Sequence, residues 1–194
     1  MNKLILADCD GVLLNWEYAF QCWMESHGYN QVDSGNTHYD MSVRYSITKH
    51  EAVEKIKIFN ESAAIGFLPA LRDAVYYVKR LHEEHGYKFG VITSLSLDPS
   101  AGHLREMNLK KIFGESAFDF ITCLDTGADK DDALECFKDS GLWWIEDKMA
   151  NAKAGLDVGL KPILIEHGFN MNDSVPPGMF KATNWKEIYH HIVN

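Results

Sequence analysis

Five short apolar runs punctuate this chain, at Lys3 to Ala7, Lys88 to Thr93, Phe118 to Cys123, Leu142 to Ile145 and Lys161 to Ile165. Each has the length of a buried strand, and helix-like segments lie between them. Ala70 to Glu84 repeats Leu71, Val75, Val78 and Leu81 at helical spacing, and further helical patterns cover Ser100 to Leu109, Lys130 to Lys138 and Lys148 to Leu156. Strands alternating with helices predict βαβ units around a parallel sheet, an α/β fold. One interval breaks the rhythm: Leu14 to Phe67 is too long for a single crossover and carries its own helical patterns, Trp16 to His27 and Thr48 to Ser62. It predicts a helical cap, residues 14–67, inserted after the first strand of a core made of 1–13 and 68–194. Pro69 is expected to close the cap by starting the next helix. Such an insertion lies over the carboxyl edge of the sheet, where open α/β folds bind ligands.

The strand ends carry the reactive side chains. After the first strand come Asp8-Cys9-Asp10-Gly11, two carboxylates that share one side if the chain stays extended, before a glycine that permits a sharp turn. Their mutual repulsion calls for a cation between them, and Mg2+, held by one or two carboxylates and a substrate phosphate, is the natural candidate. The second strand ends in Thr93-Ser94, hydroxyls able to hold phosphate oxygens or simply to shape a turn. Lys130 follows the third strand and offers an ammonium to a phosphate or to solvent. Glu146-Asp147 follow the fourth, with Asn151 one turn on; they complete a metal site or cap a helix.

Taken together, Asp-x-Asp, then Thr/Ser, then Lys, then an acidic pair, each after its own strand, resemble the haloacid-dehalogenase-like superfamily of aspartyl phosphatases over nearly the whole chain. Asp8-Cys9-Asp10-Gly11-Val12-Leu13, Ile145-Glu146-Asp147, Gly168-Phe169-Asn170 and Asn184-Trp185-Lys186-Glu187 are most similar to its 5'(3')-deoxyribonucleotidase branch. The resemblance implies a three-layer Rossmann-like fold and a Mg2+-dependent phosphomonoesterase acting on nucleoside monophosphates. It implies Asp8 as nucleophile and Asp10 as general acid and base. Asp8, Asp10 (through its carbonyl) and Asp147 would be the metal ligands, and Thr93, Ser94 and Lys130 the phosphate-binding residues. Two positions depart from the commonest pattern, Asn151 where a second acidic residue often stands and Cys9 where a bulkier apolar residue is usual. The cap aromatics Trp16, Phe20, Trp23, Tyr39 and Tyr45 are candidates to stack on a base or to fill the cap core. A phosphatase of another small metabolite, a phosphoryl transferase and a noncatalytic phosphate-binding module are the competing readings.

Composition narrows the partners. A formal charge of -9 opposes binding to nucleic acid polymers and anionic membranes, leaving a small phosphate ester as the expected partner. Four cysteines without a Cys-x-x-Cys pair predict a reducing cytoplasm, with neither disulfide framework nor structural zinc. The apolar stretch before Asp8 is too short for a signal peptide or a membrane span. His190 and His191 point to different sides of a helix, and His82 and His85, which could share a helical face, read as a solvated face rather than metal ligands.

Overall fold

The computed structural model describes residues 3–194; residues 1 and 2 of the expected core segment 1–13 lie outside the described residues. Among these are six strands and eight α-helices. In chain order they are β1 (Leu4–Ala7), α1 (Trp16–Ser26), α2 (Met41–Tyr45), α3 (Lys49–Asn60), α4 (Ala74–Glu83), β2 (Lys88–Ser94), α5 (Pro99–Phe113), β3 (Phe118–Leu124), α6 (Asp131–Glu135), β4 (Trp143–Glu146), α7 (Met149–Asp157), β5 (Lys161–Ile165), β6 (Phe180–Ala182) and α8 (Trp185–Val193). The strands form one parallel sheet in the order β3-β2-β1-β4-β5-β6. Strand order reverses on either side of β1, so the crevice of the switch point opens between the carboxyl ends of β1 and β4. Ala7 pairs with both Val91 and Ile145 there.

Alternation along the strands splits the core into two layers of packing. Ile5, Ala7, Phe89 and Val91 face Val78, Leu81, Leu109 and Trp185 of α4, α5 and α8, whereas Leu6, Ile92 and Trp144 face Leu134, Ala154 and Leu160 around α6 and α7. The sheet is thus buried on both faces, which is why its strands read as nearly continuous apolar runs. β6 escaped the sequence reading because three residues, one of them Lys181, leave no apolar pattern.

Between β1 and α4 the chain is helical, comprising α1, α2, α3 and short 3-10 turns at Gly35–Thr37 and Ala63–Phe67. Asn15 and Asp40 cap α1 and α2, and Thr48 with Glu51 forms a reciprocal capping box on α3. Phe20 is the centre of the cap. Trp16 stacks on it at 4.5 Å and Phe59 meets it edge-on at 5.4 Å. The cap is tied down at its exit, where Asn60 donates to Leu95 O at 2.9 Å and Asn108 of α5 donates to Leu68 O at 3.0 Å. Pro69 does not begin a helix. Its carbonyl accepts from Asn15 N–H at 2.8 Å beside an antiparallel bridge between Leu14 and Ala70, so the two cap connections zip together, and α4 starts only at Ala74. The helix-starting proline is Pro99 of α5.

His82 and His85, expected on a solvated face, are half-buried tethers, and His191 is exposed. His82 contacts Tyr87 O and Ser116 Oγ, His85 contacts the Tyr189 hydroxyl, and His191 stacks on Phe180 at 3.9 Å.

Candidate active site

Asp8 enters the crevice as the residue after β1, its N–H donating to Ile145 O at 2.8 Å and its Oδ1 accepting the Cys9 N–H at 2.7 Å. The expectation that Asp8 and Asp10 share one side, with a cation between them, is corrected. The chain does not stay extended: Leu13 and Leu14 N–H groups close back on Cys9 O, and the two carboxylates, both lining one cavity, turn to different cations. Asp8 pairs with Lys130 at 2.7 Å, and Asp10 with Arg105 of α5. Each carboxylate therefore has its own cation.

Lys130 is 1% exposed and bridges Asp8 to Glu146 Oε2, 2.8 Å away. The other Glu146 oxygen accepts the N–H groups of Asp147 and Lys148. Asp8, Glu146 and Asp147 are all buried and can bring one oxygen each within 4.8 Å of the others. With a single ammonium among these three carboxylates, two negative charges lack a partner, the deficit a divalent cation would fill. The donor set is all oxygen and suits Mg2+. Glu146 is occupied by Lys130 and the backbone, which leaves Asp8 and Asp147 as the carboxylates best placed to ligate.

The same crowding acts on protonation. Burial pushes the Asp8 carboxyl up to about 7; Lys130 opposes this, while Glu146 and Asp10 add to it. Asp147 is raised well above the ordinary carboxylate range, by burial and then by Glu146 and Asp8. A folded-state pKa above the unfolded one gives stability that is complete below pH 4 and lost as pH rises toward 7. Metal-free protein is thus expected to lose about 2–4 kcal/mol between pH 4 and pH 7 relative to Asp8→Asn, and added Mg2+ should raise Tm more at pH 7 than at pH 5. Parallel melting curves for the two proteins across that range would refute this.

Gly11 makes the approach of β4 possible. Its φ is +75°, and a Cβ there would stand 2.1 Å from Asp147 Oδ2. Gly11→Ala is expected to cost about 1–3 kcal/mol of stability through backbone strain and to weaken Mg2+ binding about tenfold or more by displacing Asp147. Calorimetric titration with Mg2+ on the folded variant checks it; unchanged affinity is the contrary result.

The chain's tail supports these loops. His167 donates from Nε2 to Gly11 O at 2.6 Å, Asn170 Nδ2 donates to Asp147 O at 2.7 Å, and Trp185 Nε1 donates to Val12 O at 2.8 Å. Phe169 lines the cavity, whereas Asn170 and Trp185 position backbone.

Thr93 is fully buried beside the cavity, and its hydroxyl has no hydrogen-bond partner among the described residues. A buried hydroxyl left unmade is costly, and a ligand oxygen would satisfy it. The Ser94 side chain differs. Its hydroxyl donates to Ala128 O at 2.7 Å and holds the Thr126-Gly127-Ala128 loop, while Ser94 itself lines the cavity, where its backbone is the part open to the expected phosphate contact. Asn151 is buried on the cavity wall.

A cavity of about 530 Å³ lies between this floor and the cap. Lys49, Ala52, Val53, Ile56 and Asn60 line it from one face of α3, at the spacing of successive helical turns. Trp16 and Tyr39 reach it as well, Tyr39 lying edge-on to Phe169 at 5.2 Å. Phe20 and Tyr45 do not. They are 1% and 5% exposed and pack in the cap core, so their expected place against a substrate is corrected. A three-to-four-residue aromatic spacing puts side chains on the buried stripe of a helix, and Trp16 sits at its margin.

Arg105 was not singled out in the sequence. Its signal was legible: α5 buries Ala101, Arg105, Asn108 and Leu109 on one stripe, and a charge inside such a stripe must meet a partner.

No family model matches the sequence, and no curated protein matches it. Solved structures do. A predicted phosphatase from Clostridium acetobutylicum superposes with a TM-score of 0.69 at 16% identity, covering 100% of this chain and 99% of that one. A haloacid dehalogenase-like hydrolase from Streptococcus pneumoniae gives 0.65 at 15% identity over 98% of each chain. The HAD-hydrolase YfnB from Bacillus subtilis, solved bound to magnesium, gives 0.63 at 14% identity over 98% of each. The fold is that of haloacid-dehalogenase-like hydrolases.

Proposed function

We propose that this haloacid-dehalogenase-like chain is a phosphomonoesterase that forms an aspartyl-phosphate on Asp8, with a deoxyribonucleoside monophosphate as substrate. The observation that carries the reading is that Asp8, the unpartnered Thr93 hydroxyl and the uncompensated carboxylate cluster face one cavity. Asp8 Oδ attacks phosphorus and the ester oxygen leaves; Asp10 protonates it and then takes a proton from the water that hydrolyses the acyl phosphate. Lys130 holds the Asp8 carboxylate in place and adds positive charge beside the incoming phosphoryl group. Thr93 offers its hydroxyl to a phosphoryl oxygen. Asp8, Asp147 and the Asp10 carbonyl are the groups proposed to hold Mg2+, which when bound supplies shielding between anionic nucleophile and anionic phosphate.

The leaving group would occupy the cap side of the cavity. Ala52, Val53 and Ile56 of α3, Trp16 and the Tyr39–Phe169 pair support a flat, partly apolar group such as a nucleobase. We place the protein in a reducing cytoplasm, a reading supported by its four free cysteines. The test is phosphate release from ribo- and deoxyribonucleoside monophosphates and sugar phosphates, with and without Mg2+. Metal-dependent release selective for deoxynucleotides supports the full reading. Release from another ester alone keeps the chemistry and removes the nucleotide assignment, and silence across the panel from folded protein favours transfer or binding.

A further inference from the structure

Arg105 is completely buried, although it carries a charge and its Nε has no hydrogen-bond partner among the described residues. Nη1 donates to Cys9 Sγ at 2.7 Å and also contacts Asp10 Oδ1, while Nη2 donates to Asp10 Oδ2 at 3.0 Å. As a stabilising device this is a poor one. Sealing an ion pair from water costs about what the pair returns, a pair of apolar side chains of similar volume in place of both partners often serves as well, and the orphaned N–H adds a further cost. What the guanidinium fork does supply is orientation, because two parallel contacts fix both the position and the plane of a carboxylate where an ammonium fixes only a distance.

We propose that Arg105 is the positioning residue for Asp10, holding its carboxylate turned to accept the proton of the hydrolytic water. The proposal rests on the phosphomonoesterase reading. In the first half-reaction an Asp8 oxygen bonds to phosphorus, the ester P–O bond breaks and the leaving oxygen takes a proton from Asp10. In the second, water oxygen bonds to phosphorus, its proton passes to Asp10, and the P–O bond to Asp8 breaks to release inorganic phosphate. Nitrophenolate leaves without needing a proton, so with 4-nitrophenyl phosphate only the second half depends on a well-placed Asp10.

Rapid mixing of 4-nitrophenyl phosphate with wild type, Arg105→Met, Arg105→Lys and Asp10→Asn separates the halves. Arg105→Met is expected to release a burst of about one nitrophenolate per site and then turn over about 100-fold more slowly than wild type, as Asp10→Asn should, with KM falling alongside kcat so that kcat/KM changes far less than kcat. Arg105→Lys should fall between; because Arg105→Met strands the Asp10 carboxylate it is expected to melt below wild type, so the rates are compared at a temperature where every variant is folded. Slow linear release without a burst, or wild-type steady-state turnover by folded Arg105→Met, overturns the assignment. If Arg105→Met does not fold, the same burst measured on Arg105→Lys decides. Wild type inactive on every ester would remove the phosphomonoesterase reading and this proposal with it, whereas active wild type with an unaffected variant removes Arg105 alone.

Discussion

Asp8→Asn is expected to lose phosphate release by at least about 10⁴-fold while keeping its fold, because the amide cannot act as the nucleophile that the covalent route needs. The substitution is close to isosteric. An amide oxygen still accepts the Cys9 N–H, and Lys130 keeps Glu146, so no buried cation is stranded. Stability should move the other way from activity. The carboxyl of Asp8 is held up at about 7 by burial, which means that ionising it at neutral pH works against folding. Its removal should therefore leave metal-free protein as stable as wild type at pH 7 or more stable by about 1–2 kcal/mol, the trade expected where a site is built for chemistry rather than for folding. Steady-state assays and urea titrations on the same preparations provide the check. A folded Asp8→Asn protein with wild-type turnover would exclude Asp8 as the nucleophile.

Sequence pattern revealed most of the frame because sheet burial is written locally. An apolar run buried on both faces and ended by acidic or hydroxyl residues marks a strand and its carboxyl end, and topology then gathers those ends at one crevice. Asp8, Thr93, Lys130 and Asp147 were legible for that reason, and the structure brings all of them to one cavity floor. What was not legible depends on partners far away in sequence. Asp10 turns toward Arg105, 95 residues on, and the Ser94 hydroxyl is spent on Ala128 O, 34 residues on. No spacing rule encodes either choice. Phe20 and Tyr45 show the converse limit, since an aromatic at helical spacing is the same pattern whether it lines a cavity or fills a core. The site also depends on an interaction of backbone rather than side chain: Gly11 matters because Asp147 of another strand end occupies the space of its missing Cβ.

Lys130→Met is expected to damage both stability and activity, and the two effects should respond differently to pH and metal. The ammonium sits 2.7 Å from Asp8 and 2.8 Å from Glu146, nearly sealed from solvent and 5.3 Å from the Trp144 ring centroid. Burial works against its charge, yet the two carboxylates hold its pKa above the ordinary lysine value, so it stays protonated throughout the working range. Methionine fills similar volume but leaves Asp8, Glu146 and Asp147 without a cation. Removing one partner from a buried ionic cluster typically costs about 3–5 kcal/mol, and loss of a preorganised positive charge beside the phosphoryl group about 10²–10³ in kcat. The stability loss should shrink at pH 5, where Asp8 and Asp147, both raised above ordinary carboxylates, take up protons and the repulsion falls. It should shrink also with Mg2+ at pH 7, since a divalent ion repairs the same deficit, and adding Glu146→Gln to Lys130→Met should restore part of it by removing a charge. Activity should return in none of these conditions, because the charge proposed to lie beside the phosphoryl group is still missing. Urea titrations of the single and double variants at pH 5 and 7, with and without Mg2+, test the scheme. A Lys130→Met protein as stable as wild type at pH 7 without metal would mean that the three carboxylates are not jointly ionised in the folded protein, and the case for a divalent cation at this site would lose its electrostatic basis.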